Sequence, residues 1–483
     1  PFPASEAIYR RKGKKRPTHD RVDIDQLREE QRIIEGVHEI FEKLYRDLGF
    51  DDVLISPRKD AQWNSILKSC VMARIARPQS KRRTVSLLKE DYAITIPLQK
   101  IYRMMDHVAE NEERIKQRVC ESTQNLFRQK VDVLFFDVTT LYFESTETDE
   151  LKKFGFSKDC KFKEVQVVLA LVTTTKGLPI TFETFPGNMY EGHTLIEMIR
   201  RLKERHDIER VILVADRAMF SDENLRVMES ADVCYVVAAR LKSLPVRTKS
   251  RIVEDEDYKA GVMGNEFHWV KEYEHNGRRL IVSYNHRRAQ KDAADRRRLV
   301  DRLLKKANGK NIRLKDLIPN YGSKKYVTVG EEVVHLNEEK IQAEEKWDGF
   351  HGVITNIKDD SVVNILSRYA GLWQIEETFR VSKHDLQFRP IYHWTPERIK
   401  AHIVICFLAL TLIKQALFRM DVQGEKMSFE QMRNELLHVQ ASLMLDIGTQ
   451  KRYLIPSRVT PNQKKIYKVF GLKRSDVPCS VEI

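Results

Sequence analysis

The sequence has little of what builds a cross-linked or metal-clipped chain. Its six cysteines (Cys70, Cys120, Cys160, Cys234, Cys406 and Cys479) lie far apart with no CxxC pair. A disulfide framework and the common zinc spacings are therefore excluded. With 19 Gly and 15 Pro, the chain is not collagen-like or of low complexity. The longest apolar run, 403–413, is too short to cross a bilayer of about 30 Å and reads as a buried helix, so no membrane partner is expected. There is no internal repeat. The chain opens on Pro1 without an apolar leader, and the missing methionine suggests a trimmed chain. These absences together suggest a reducing, cytoplasmic setting.

What is present is charge. The 483 residues carry 84 Lys+Arg against 70 Asp+Glu, a formal net charge of +14. An excess of that size suggests a polyanionic partner, nucleic acid first. It is also local. Arg10, Arg11, Lys12, Lys14, Lys15 and Arg16 form a basic arm that reads as a solvated tail or a phosphate contact. A second cluster spans 77–83, and a predicted helix from Arg287 to Lys306 carries Arg296, Arg297 and Arg298 in a row.

The periodicity divides the chain. From Asp23 to about Gln129 it is helical, as in Ile33, Val37, Ile40, Phe41 and Leu44, which predicts an all-helical N-terminal domain over 1–129. At Val131 short apolar, β-branched runs take over, with strands expected at Val133–Val138, Glu164–Thr174, Leu178–Pro186, Val211–Asp216 and Val233–Ala238. Helices at Thr194–Arg205 and Asp222–Ser230 interrupt them. Hairpins first and crossovers later imply a mixed α/β sheet. The expected domains are a core over 130–240, a β-rich insert over 241–350, the second part of the core over 351–420, and a C-terminal segment over 421–483. The chain is expected to be helical from Ser361 to about Leu445.

Three carboxylates stand out. Asp137 follows four apolar residues, and Asp216 ends the run Val-Ile-Leu-Val-Ala-Asp. Alone, each reads as a turn former or helix cap. Together at the ends of neighbouring strands, they read as hard oxygen ligands for a divalent ion. Glu376 lies seven residues after Tyr369 and seven before Lys383, so a continuous helix places all three on one stripe. A solvated polar stripe is the plain reading. Beside two strand-end aspartates, it reads as a phosphodiester site with Glu376 on metal and Tyr369 and Lys383 on backbone oxygens.

The segment Tyr369-Ala370-Gly371-Leu372-Trp373-Gln374-Ile375-Glu376, continued to Lys383, resembles the Tyr-x2-Arg-x3-Glu-x6-Lys signature of bacterial insertion-sequence transposases of the DDE type. This is the insertion sequence four family, and the match is to its large-insert subgroup. Leu372 stands where the signature has arginine, with Arg368 or Arg380 as replacements. Phe136-Asp137-Val138-Thr139-Thr140 and Val214-Ala215-Asp216-Arg217 resemble the motifs of the first and second aspartates, and Gly187 to His193 the turn before the second. Tyr284 to Arg298 and Phe388 to His393 resemble pieces of the large-insert subgroup.

The resemblance implies a ribonuclease H-like mixed sheet split by a β-rich insert, and metal-dependent cut-and-paste transposition. Asp137, Asp216 and Glu376 would be catalytic and hold two divalent ions, Mg2+ or Mn2+. Tyr369, Lys383, Arg380, Arg217 and, in the insert, Trp347 would contact DNA, although a core role for Trp347 is also open. The implied partners are double-stranded DNA, as terminal inverted repeats and target, and a second copy in a homodimer on DNA. The implied location is the nucleoid-associated bacterial cytoplasm. Two other readings remain: a catalytically silent, sequence-specific DNA-binding protein of transposase origin, and a metal-dependent nuclease. His193, His384, His393 and His402 match no common metal spacing.

Overall fold

The computed structural model describes residues 22–55, 60–127, 133–143, 147–155, 164–189, 212–216, 221–263, 266–307, 326–329 and 334–481, with a few residues between 194 and 201. The chain forms two compact units, Pro1–Glu209 with Trp373–Ile483 (unit 1) and Arg210–Leu372 (unit 2).

Unit 1 begins with strand β1 (Leu27–Ile34), then helices α1 (Gly36–Asp47), α2 (Asp60–Ala76), α3 (Lys81–Tyr92), α4 (Leu98–Glu110) and α5 (Glu112–Phe127). Strands β2 (Val133–Tyr142), β3 (Gln166–Thr174) and β4 (Pro179–Pro186) follow. Unit 2 runs through β5 (Ile212–Ala215), α6 (Asp222–Ser230), β6 (Cys234–Ala238), α7 (Val246–Glu254), β7 (Lys259–Met263), β8 (Glu266–His275) and β9 (Arg278–Tyr284). It continues with α8 (His286–Ala307), β10 (Val327–Val329), β11 (Val334–Leu336), α9 (Glu338–Glu345), β12 (Phe350–Thr355) and α10 (Val362–Ala370). The chain re-enters unit 1 at α11 (Trp373–Arg380), followed by α12 (Pro396–Val422), α13 (Phe429–Leu437), β13 (Gln440–Asp446), β14 (Arg452–Pro456), α14 (Pro461–Val469) and β15 (Cys479–Val481).

In unit 1, β2, β3 and β4 form an antiparallel meander. All nine residues of β3 are buried, as expected for a near-continuous apolar run. Helix α12 is the core of the unit and packs against α1, α2, α4, α5 and β4. Thr395 caps its start by accepting from the Arg398 N–H, and Pro396 occupies its first turn. It is the one described helix long and apolar enough to cross a membrane, and its apolar window is 89% buried inside the protein. Each Leu, Ile or Phe it buries contributes about 1.5–3 kcal/mol.

In unit 2, β5 pairs in parallel with β6, and the order β6-β12-β9-β8-β7 is antiparallel throughout. A buried arginine ties this sheet to α6. Arg278 reaches both oxygens of Glu229 at 2.6 and 3.1 Å and Asp222 at 2.8 Å, and the Tyr235 hydroxyl donates to Glu229 at 2.7 Å.

The structure corrects three expectations. The N-terminal segment is not all-helical, because Leu27–Ile34 is a strand paired antiparallel with β13. Ile33 begins the apparent helical stripe but belongs to that strand. Gln31 anchors it further, donating to the Lys89 and Glu90 carbonyls at the end of α3. The helical stretch expected to run to about Leu445 also ends at Leu437, because Gln440–Asp446 is strand β13 of the sheet β1-β13-β14-β15. Finally, Tyr369, Glu376 and Lys383 do not share one helix. Gly371 closes α10, its N–H donating to carbonyls of the last turn, and a new helix starts at Trp373. The segment expected as an insert, 241–350, lies inside unit 2, which also takes in β5, β6, β12 and α10. The basic arm 10–16, Arg210, Arg217 and His193 lie outside the described residues.

Candidate active site

Asp137 lies in the middle of β2 rather than at its end, opposite Leu171 of β3. It is the only interior residue of β2 that is not fully buried. Its Oδ1 accepts from the next residue's backbone, Val138 N–H, at 2.7 Å, which fixes the carboxylate's orientation. Helix α11, which carries Glu376, packs on β2. Two of the three expected acids therefore stand on contacting elements of one unit.

Glu376 and Glu377 differ in circumstance. Glu376 is exposed in the first turn of α11 and makes no ion pair among the described residues. Its neighbour Glu377 is bound by Arg380 through two contacts of 2.7 Å, which hold its carboxyl below the usual range against the opposing effect of burial. The helix is clamped from behind, where the buried Thr378 hydroxyl lies 2.7 Å from the Gln374 carbonyl and 3.3 Å from that of Gly177. Gly177 has φ +71°, a left-handed conformation that favours glycine, and a Cβ there would sit 3.1 Å from Lys414 Nζ. Burial lowers the Lys414 ammonium to about 8, opposed by the attraction of Glu377.

After Arg380 the helix widens into a π-turn, Val381–Asp385, closed by Leu386 N–H on the Val381 carbonyl at 2.9 Å. Such turns are frequent at functional sites. Lys383 is half-buried within it. Asp385 is pushed up by burial, opposed by Arg380 at 3.7 Å.

In unit 2, Asp216 is exposed immediately after β5. Tyr369 is half-buried on α10, its ring 4.9 Å from that of His351. Neither candidate for the missing signature arginine is idle: Arg368 is paired with Asp360, and Arg380 with Glu377. Trp347 takes the core role, packed against Leu241, Leu244, Ile252 and their neighbours, with Phe350 at 6.3 Å. The exposed indole of the insert is Trp269, edge-on to Phe267 at 5.4 Å. The two rings line a cavity of about 350 Å³ with Asn285, His286 and Arg287 at the start of α8. Its aromatic–basic lining was not legible because Trp269, on β8, and Arg287, at the start of α8, are brought together only by the fold.

Much of the positive charge is used internally. In the basic stretch 77–83, Arg77 pairs with Asp91 and Arg83 with Glu90, while Lys81 is buried. In α8, Arg296 is held by Asp348 at 2.6 and 2.7 Å. The Lys81 ammonium makes no hydrogen bond or ion pair among the described residues, and burial lowers it to about 8, helped by repulsion from Arg74. Among the described residues, Arg74, also buried, bonds only to the carbonyls of Gln79 (2.8 Å) and Leu386 (3.4 Å). His393 and His402, 5.4 Å apart, face the same cations. Burial, then Lys81 and Arg74, lowers His393 to about 3 and His402 well below its ordinary value. Among the described residues, no three His, Cys, Asp or Glu side chains stand together as a ready-made metal cluster.

A family model described as "Transposase DDE domain" matches residues 128–412, more than half of the chain. The chain belongs to the DDE transposase family. Its activity is accordingly DNA transposition, the cleavage and joining of DNA strands. No curated protein matches the sequence. Among solved structures, it is similar to a piggyBac transposase synaptic complex with hairpin DNA, at 8% identity and a TM-score of 0.40, over 83% of this chain and 77% of that one. It is also similar to a Mos1 mariner paired-end complex with Mn, at 12% identity and a TM-score of 0.16, over 42% and 63%. Both likenesses are remote, and the family assignment rests on the domain match.

Proposed function

We propose that the enzyme excises and reinserts an insertion sequence by cut-and-paste, as a member of the insertion sequence four group with a ribonuclease H-like core. Asp137, Asp216 and Glu376 are its catalytic acids and the ligands of two divalent ions, Mg2+ or Mn2+. The observation that carries this reading is the packing of α11 on β2, with an exposed Glu376 that makes no ion pair among the described residues on one and a solvent-reached Asp137 on the other. Carboxylate oxygens in such settings suit hard divalent cations. When bound, the ions supply activation of the attacking oxygen and charge neutralisation at the leaving 3′-oxygen.

The chain's own residues do the positioning. Val138 N–H holds the Asp137 carboxylate in one orientation. Glu376 stands exposed in the first turn of α11. Arg380 occupies Glu377, keeping the neighbouring carboxylate out of competition for the ions. Lys383, Tyr369 and Arg217 serve the DNA backbone, and Arg380 can join them only by releasing Glu377. Trp269 with Phe267, rather than Trp347, presents the aromatic face of the insert to DNA. The partners are terminal inverted repeats and target DNA, with a homodimer bringing two ends together. The site of action is the nucleoid.

Incubation with Mg2+ or Mn2+ and terminal-repeat DNA tests the reading. Cleavage followed by joining is expected, and Asp137→Asn should abolish both while leaving DNA binding intact. Retained cleavage in that variant overturns the assignment. Cleavage without joining would favour the nuclease, and binding without cleavage the silent DNA-binding protein.

A further inference from the structure

The segment that leaves the π-turn gathers buried cations rather than acids. Leu386 closes that turn with its N–H, and its carbonyl receives Arg74 of α2 at 3.4 Å. Two residues on, the Phe388 carbonyl lies 3.3 Å from His402 Nε2 of α12. The Arg74 guanidinium also donates to the Gln79 carbonyl at 2.8 Å, one residue before Ser80 caps α3. Lys81, the first residue of α3, follows that cap. Arg74 and Lys81 therefore stand together at the N-terminal end of α3, where the helix dipole adds positive charge of its own. Each is only 5% exposed.

Nothing negative answers them. Among the described residues, no carboxylate pairs with Lys81 or Arg74. The acids nearby are engaged elsewhere: Asp91 by Arg77, Asp106 by Arg398, and Asp385, next to Leu386, by the attraction of Arg380 and Arg433. His393 and His402 are neutral rings and supply no charge. Lys81, lowered to about 8, still holds most of its proton at neutral pH, and an arginine does not release one. Charge taken out of water is ordinarily paired, so two such cations side by side call for an anion. Donors to hold it are in surplus. An arginine carries five N–H groups, and Arg74 spends one each on its two carbonyls, while the three of Lys81 are all free. The residual exposure of Lys81 means that a water-sized space still reaches it. A phosphate carried on a DNA chain is too bulky for that space, and a halide is only slightly larger than water.

We propose that Lys81 and Arg74 form a buried site for one small inorganic anion of chloride size, held between the start of α3 and the Leu386 end of the π-turn. The anion accepts from the N–H groups that the carbonyls leave free and offsets part of the buried charge. It thereby fastens α2 and α3 to Leu386, the residue that closes the turn carrying Lys383. The site is independent of which carboxylates cut DNA.

The test uses the full chain without DNA, with Tm measured as chloride replaces gluconate at constant sodium and ionic strength. The parent should gain about 2–4 °C for each tenfold rise in chloride once the site is filling. Lys81→Met should be at least as stable as the parent in gluconate and show no chloride dependence. Lys81→Arg should keep the dependence. An equal rise in the parent and in Lys81→Met would be a general salt effect and would overturn the proposal. So would a parent whose Tm ignores chloride. A second measurement needs no variant: parent crystals soaked in sodium bromide should show an anomalous peak between Lys81 Nζ and the Arg74 guanidinium. Peaks confined to the protein surface would mean an adventitious ion only, and the site would be refuted even if Lys81→Met failed to fold.

Discussion

Arg278 of unit 2 and the Arg74–Lys81 pair of unit 1 are buried cations balanced in different ways, although unit 1 also closes Lys116 on Glu112, Glu113 and Glu183 and Arg474 on Glu35. In unit 2, Arg278 is enclosed by two carboxylates and a tyrosine hydroxyl-bearing network, with every polar contact between 2.6 and 3.1 Å. In unit 1, among the described residues, Arg74 bonds only to carbonyls, Lys81 has no polar partner, and two neutral histidines stand beside them. The same contrast recurs at α11, where Glu377 is closed by Arg380 and Glu376 is left open. Closed pairs fix the fold. Charges left open cost stability and are the ones free to meet a charged ligand.

The sharpest break of this contrast is at α11. Glu376→Gln should lower cleavage of terminal-repeat DNA on the order of 10³-fold or more, and Glu377→Gln less than about tenfold. Equal losses would mean that the closed carboxylate is as functional as the open one. Next in size is Arg278→Met, which leaves two carboxylates facing each other. Unfolding free energy from urea titration should fall by about 2–4 kcal/mol, toward the lower end of the usual range because Asp222 and Glu229 remain partly in water. A neutral result would show that the closed network does not hold unit 2.

The histidines give a pH test. Both have folded-state values below their ordinary 6.5, His393 at about 3. The unfolded chain therefore binds protons first as pH falls, and stability present above pH 6.5 is lost between 6.5 and about 3. A decline in Tm from pH 7 to 4.5, flattened in His402→Leu, is expected, with a loss on the order of 2 kcal/mol. The smallest effect is the most diagnostic in sign. Lys81→Met should leave stability unchanged or raise it by about 1–2 kcal/mol, because a desolvated ammonium without a partner is removed. A fall in Tm would show that Lys81 is satisfied after all.

Much of this was legible in the sequence. The runs at 133–138, 164–174, 178–186 and 233–238 are strands, and Asp222–Ser230 is a helix with the expected bounds. These segments carry dense local signals, being β-branched apolar runs or a capped amphipathic turn. What was not legible depends on partners far away in sequence. Leu27–Ile34 carries Arg28, Glu29, Glu30 and Arg32, so nothing local announces a strand. The stripe Tyr369–Glu376–Lys383 assumed an unbroken helix, and the break at Gly371 followed by a π-turn removes that geometry. Asp137 reads as a strand end because Val138 to Tyr142 look less apolar than they are buried. Trp347 and Trp269 are both insert tryptophans, and only packing separates the core one from the exposed one.

The pairing of β1 with β13 has a consequence for biosynthesis. The partner of the N-terminal strand is made roughly 400 residues later. At about 5–20 residues per second, that is a wait of about 20–80 s on the ribosome. During it, β1 offers an unsatisfied ladder to any passing strand. A nascent chain can thus hold all three acids long before unit 1 is able to close, and a message truncated before the codon for Gln440 would yield a protein that never does.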